Sequence, residues 1–187
     1  MNNSDLFEPK ARVKTIDLVN IAMGATLIAI CSWIRIPTIV PFTLQTFAVF
    51  FVLLTMGGRR GTLAVLIYVL IGLLGMPVFS GFTGGIGVVL GSTGGYIIGF
   101  VFIGLIYASL TGFFGHSVYV EIWSLIVGLI ACYIFGSAWF MMVYAQESGP
   151  VGFLTVLKWC VFPIIIPDIG KLALAYMVSK KVRHHIM

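Results

Sequence analysis

Asp168 and Lys171 stand inside an apolar run that extends from Val161 to Val178. Three residues apart on a helix, they share one face. A carboxylate accepts N–H donors, and an ammonium donates to a carboxylate or a carbonyl oxygen. A ligand carrying both kinds of group would suit the pair. The same spacing also suits a mutual ion pair that does no more than lock the helix in place. Ionisable groups in apolar spans are costly and commonly mark substrate or ion sites. A binding site is therefore expected, with the ion pair as the competing reading.

Half of the chain's 22 glycines lie between Gly72 and Gly104. The densest part reads Phe79-Ser80-Gly81-Phe82-Thr83-Gly84-Gly85-Ile86-Gly87, followed by Gly91-Ser92-Thr93-Gly94-Gly95-Tyr96. Glycines let backbone approach a ligand, and successive N–H groups near a helix start can receive oxygens. Gly91, Gly95 and Gly99 also have the four-residue spacing of close helix packing. Both uses are expected: packing from Gly95 onward, and ligand cover before it from Gly81, Gly84, Gly85 and Thr93. Gln45 is a further polar side chain, suited either to a ligand or to capping nearby backbone.

Other chemistries find no residues. Gly85-Ile86-Gly87-Val88-Val89-Leu90-Gly91 is one residue too long for a dinucleotide loop, no strand precedes it, and no acidic residue follows until Glu121. Gly170-Lys171-Leu172 lacks the upstream glycine and the Ser/Thr of a nucleotide-phosphate loop. HExxH and GxSxG are absent, and no nucleophile–base pair can be assembled. No enzyme and no cofactor are expected. Cys31, Cys132 and Cys160 form no CxxC pair and read as small buried hydrophobes.

The elements that hold these residues follow from composition. Of 187 residues, 60% are hydrophobic and 9% charged, and the mean hydropathy is +1.11. Soluble domains average about 25% charged residues. So few charges cannot clothe a soluble domain, and an all-α integral membrane protein is expected. A net charge of +5 without basic residues alternating with aromatics does not argue for nucleic acid. Nothing alternates with period two over a barrel strand's length.

Apolar stretches and their breaks suggest six helices in a single bundle, near 18–34, 42–57, 61–76, 94–112, 118–143 and 162–179. The organisation expected is a cytoplasmic segment at 1–16, a membrane domain at 17–180 and a cytoplasmic tail at 181–187. The first apolar run lacks a small-residue cleavage site and reads as an anchor. Lys10, Arg12, Lys14, Arg59, Arg60, Lys180, Lys181 and Arg183 fall on one face, while the other holds Arg35 and Lys158. By the positive-inside rule both termini are cytoplasmic. Tyr107, Tyr119, Trp123 and Tyr176 would form the inner aromatic belt. At about 1.5 Å per residue, Lys171 lies roughly 13 Å above Lys180, too deep to snorkel. Pro163 and Pro167 either free the carbonyls of Trp159 and Pro163 or open the helix. Irregular backbone at that depth needs protein or water beside it, so a cavity opening outward is expected. Ala22, Ala25, Ala29 and Ser32 form a stripe of small side chains, for packing within the bundle or for a partner helix.

Three motifs in order resemble a known family. Val40-Pro41-Phe42-Thr43-Leu44-Gln45-Thr46, the glycine-rich stretch from Pro77 to Gly99, and Pro167-Asp168-Ile169-Gly170-Lys171 are similar to the biotin-specific S component (BioY family) of energy-coupling-factor transporters. The resemblance covers about residues 15–180. Where that family usually has Gly-Pro-Thr-Gly-Gly-Tyr, this chain has Gly91-Ser92-Thr93-Gly94-Gly95-Tyr96.

The resemblance implies a six-helix, outward-opening biotin-binding subunit in a prokaryotic plasma membrane. It would work with a transmembrane coupling subunit and two cytosolic ATPases. It places the coupling subunit on the small stripe of the first helix, at Ala22, Ala25 and Ala29. It also suggests Asp168 for the ureido N–H groups of biotin and Lys171 for a ligand oxygen at either end. Phe79, Phe82, Trp139 and Tyr144 become candidates to pack the bicyclic ring. The rival reading is a self-sufficient proton-coupled carrier or channel for a small polar metabolite, with Asp168 as the proton site.

Overall fold

The computed structural model describes residues 15–37 and 40–186. Its elements run α1 (Thr15–Trp33), β1 (Arg35–Ile36), β2 (Phe42–Thr43), α2 (Gln45–Leu73), α3 (Ile86–Leu90), α4 (Gly94–Phe114), α5 (Val118–Ser148), α6 (Phe153–Cys160) and α7 (Phe162–Ile186). Among the described residues, five helices are long and apolar enough to cross a membrane: α1, α2, α4, α5 and α7. Ile134, Ile166, Ile169 and Met177 are exposed on the outside of this bundle. A soluble surface carrying such patches would associate or aggregate, whereas a bilayer accepts them.

α2 is not straight. Gly57 adopts φ 79° and ψ 169°, outside the helical region. Only glycine tolerates that conformation readily. The chain folds back there: a Cβ on Gly61 would stand 2.9 Å from the Leu53 Cα. Gln45 Nε2 also reaches Tyr68 Oη at 3.0 Å, although a straight helix would part those residues by about 35 Å. The break expected between helices near 42–57 and 61–76 thus shrinks to one residue, Gly57, and residues 58–61 belong to the second arm.

α4 packs along α5 through glycine. A Cβ on Gly99 would stand 2.5 Å from Cys132 Sγ, and Gly95 meets the Trp139 side chain. Gly136 of α5 receives the Tyr96 ring in return. This is the close approach that the four-residue spacing of Gly95 and Gly99 suggested.

Charged side chains tie helix ends together. Asp17 pairs with Arg60 at 2.8 Å. Glu121, only 3% exposed, receives both terminal nitrogens of Arg183 at 3.0 Å. The start of α1 is tied to the bend in α2 and the start of α5 to the end of α7.

Several expectations need correcting. Residues 42–44 are not helical; β2 pairs antiparallel with β1, Arg35 opposite Thr43 and Ile36 opposite Phe42. α5 runs to Ser148, beyond the expected end at 143, and α7 runs through most of the expected tail. α3 and α6, each shorter than one crossing, have no counterpart among the six expected helices. Tyr107 is wholly buried and not part of an aromatic belt. Pro163 sits in the first turn of α7, where its missing N–H costs nothing, whereas Pro167 lies inside the helix. Residues 1–14, which include Lys10, Arg12 and Lys14, lie outside the described residues.

Candidate functional site

A cavity of about 310 Å³ lies between the start of α2, α4, α5 and α7. The β1–β2 pair and the loop between α2 and α4 form its remaining wall. Its floor is polar and its flanks are apolar, with Val40, Phe79, Ile97, Phe100, Leu129 and Ile164 among the latter. Pockets for small organic ligands share this pattern of apolar wall with few placed polar groups.

The floor is built on α7. Asp168 is 2% exposed and Lys171 6%. One turn of helix brings them together, and Lys171 Nζ donates to Asp168 Oδ1 at 2.8 Å. The ammonium donates again to the Thr43 carbonyl at 2.6 Å and stands 3.9 Å above the Phe42 ring. From α5, Tyr133 donates its hydroxyl to Asp168 Oδ2 at 2.6 Å. The pair is thus both an ion pair and part of a cavity lining.

The satisfied bonds leave capacity over. A carboxylate has about four lone-pair sites and an ammonium three N–H donors. Asp168 uses one site on each oxygen for the protein, and Lys171 uses two donors. Two acceptor sites and one N–H remain for a ligand.

Gln45, Phe79, Thr93, Asp168 and Lys171 all line this cavity. Gln45 is held by Tyr68 Oη, and Phe79 stands edge-on to the Tyr68 ring at 5.6 Å. The other residues named from sequence lie outside the cavity wall. Phe82 is 63% exposed, has φ 58°, and stacks on Trp33 at 4.8 Å. Gly81 abuts the Arg35 side chain, Gly84 lies against the Met76 carbonyl, and Gly85 begins α3 with φ 96°. These three glycines shape the loop that covers the cavity. Trp139 donates Nε1 to the Gly91 carbonyl at 3.0 Å. Tyr144 stacks on Phe140 at 5.5 Å.

Sequence reasoning missed Tyr133, Arg35 and Ser80, all of which line the cavity. Tyr133 gives no signal in an apolar helix. Arg35 had a signal, as one of only two cations that the charge pattern left on the face opposite the termini, and Ser80 stands within the glycine-rich stretch.

A second hollow, about 400 Å³ and almost wholly apolar, runs between α1 and the second arm of α2. Ala22, Ala25 and Ala29 line one side, with Ile67 and Ile71 among those opposite. Ala22 is exposed, while Ala25 and Ala29 are buried against the chain itself. The stripe therefore packs internally and still borders an open groove.

Comparison with known proteins gives a consistent set of relatives. The model of the BioY family matches residues 3–187. A probable biotin transporter BioY of Pyrococcus horikoshii is 38% identical over 144 residues, 77% of this chain and 81% of that protein. The biotin transporter BioY of Thermotoga maritima is 48% identical over 85 residues, 45% of this chain and 50% of that protein. A crystal structure of the S-component for biotin from an ECF-type ABC transporter superposes with a TM-score of 0.76 at 24% identity. That superposition covers 94% of this chain and 95% of that one, a likeness of fold.

Proposed function

This chain belongs to the BioY family, and on that footing we propose that it captures biotin for uptake as the substrate-binding subunit of an ATP-driven energy-coupling-factor transporter. One observation carries the reading. The cavity floor leaves two acceptor sites on Asp168 and one N–H on Lys171, and the ureido ring of biotin offers two N–H donors and one carbonyl. Charge-assisted hydrogen bonds of this kind are about twice as strong as neutral ones. The apolar flanks receive the bicyclic ring and the valerate chain. Names and fold of the relatives support the same cargo.

Each arm of α2 makes one crossing in this reading, giving six with α1, α4, α5 and α7. Both termini face the cytoplasm of a prokaryotic cell, with Arg59, Arg60, Lys180, Lys181 and Arg183 on that side. Residues 1–16 precede the membrane domain of 17–180, and 181–187 leave it. The cavity lies at the opposite, outer end. Equilibrium binding of tritiated biotin to the purified chain is expected to saturate at one site per chain and to be displaced by unlabelled biotin. Absence of saturable binding would end this reading.

The partners are a transmembrane coupling subunit and two cytosolic ATPases, with the groove beside Ala22, Ala25 and Ala29 as the docking face. Lipid is as apolar as a membrane helix, so association depends on close packing. Ala22 is exposed and borders the groove, so Ala22→Trp fills it without disturbing the core. Biotin binding in detergent should persist in this variant, while ATP-driven uptake and co-purification with the coupling subunit are lost. Uptake at the unmodified rate would remove α1 as the docking face.

A further inference from the structure

We infer that Arg35, with the hydroxyl of Ser80 beside it, forms an anion subsite at the outer side of the cavity and fixes the ligand with its carboxylate outward and its ureido head on Asp168. The inference rests on the biotin reading above and settles which end of the ligand meets Lys171.

The floor is the wrong place for a second anion. Lys171 is already neutralised by Asp168 at 2.8 Å and held by the Thr43 carbonyl at 2.6 Å. A ligand carboxylate there would lie beside the Asp168 carboxylate in a buried setting, where like charges repel strongly. The neutral ureido group meets no such repulsion.

Arg35 offers the opposite conditions. It lines the same cavity, and among the described residues no carboxylate lies within ion-pair distance of it. Its place is fixed from two sides. In the β1–β2 pair it stands opposite Thr43, the residue whose carbonyl holds Lys171. Across the cavity mouth its guanidinium lies against Gly81, where a Cβ would stand 2.7 Å from Cζ. Gly81 also has φ 79°, so both its conformation and its missing side chain let the loop close over the guanidinium. Ser80, the preceding residue, lines the cavity too, and its hydroxyl is buried with no hydrogen-bond partner among the described residues. Buried hydroxyls are nearly always bonded, so an unpaired one lining the same cavity as this guanidinium marks a place for an oxygen-bearing group. A guanidinium fork matches the two oxygens of a carboxylate.

The test compares tritiated biotin with the uncharged biotin amide in the purified full chain. Arg35 is exposed, which tempers its effect, so the unmodified protein should prefer biotin over the amide about tenfold. Arg35→Gln should bring that ratio close to one, and Arg35→Lys should restore part of it. Raising the salt concentration should lower the preference of the unmodified protein and leave that of Arg35→Gln unchanged. A ratio that stays at the unmodified value in Arg35→Gln overturns the subsite, even if both affinities fall. If the unmodified chain binds neither compound, the biotin reading itself has failed and the subsite falls with it.

Discussion

Asp168→Asn is expected to weaken biotin binding at least tenfold and to lower the thermal midpoint of the detergent-solubilised protein. Asparagine keeps the shape of aspartate but exchanges an acceptor for an NH₂ donor. Asp168 now accepts from Tyr133 and from Lys171, so the new NH₂ keeps a partner only by turning to Tyr133, whose hydroxyl must then accept instead of donate. The ligand loses as well, because hydrogen bonds to a charged group are each worth about 1.5–3 kcal/mol, and about 1.4 kcal/mol is a tenfold change. Lys171 is left buried without its counter-charge, and breaking a buried pair in this way costs about 3–5 kcal/mol. The binding measurement is therefore made well below the new midpoint, on material that is monodisperse by size exclusion. Binding at full strength in that material would remove Asp168 from the site.

The features legible in the sequence are those whose cost or spacing is local. A carboxylate and an ammonium inside an apolar run announce themselves because water is absent along that stretch, and their spacing puts them on one face without knowledge of the fold. Gly95 and Gly99 are legible for the same reason, four residues being one helical turn. What stayed hidden depends on contacts between distant segments. Tyr133 lies 35 residues from Asp168, and nothing in α5 distinguishes it from a tyrosine that faces lipid. The Glu121–Arg183 pair spans 62 residues, so both looked like ordinary charges near helix ends. Trp139 and Tyr144 have the size and place to pack a ring system, yet Gly91 and Phe140 hold them. The bend in α2 was legible as a turn but not in its extent, because residues 58–61 can start a helix as well as end one. α6 has only 8 residues, below the length at which hydropathy signals a crossing.

Lys171→Met, alone and combined with Asp168→Asn, separates a binding site from an ion pair that merely locks the bundle. Methionine fills much of the same volume, so the loss is chiefly of charge and of three N–H donors. Alone, it removes the contacts to Asp168, to the Thr43 carbonyl and to any ligand oxygen on the floor. Biotin and biotin amide should both weaken at least tenfold and in equal proportion, since neither presents its valerate end to Lys171. The thermal midpoint should fall too, because Asp168 keeps only the Tyr133 hydroxyl. The double variant carries no charge on the floor, and neutral replacements for buried ion pairs are often as stable as the pair itself. Its midpoint should recover towards the unmodified value, whereas its affinity for biotin should stay at or below that of the weaker single variant. Groups in direct contact are not additive, and the cycle measures their coupling in stability and in binding separately. Recovery of both would identify the pair as a structural lock with no part in recognition. A far larger loss for biotin than for the amide in Lys171→Met would place the carboxylate on the floor, and Arg35 would then have no anion to hold.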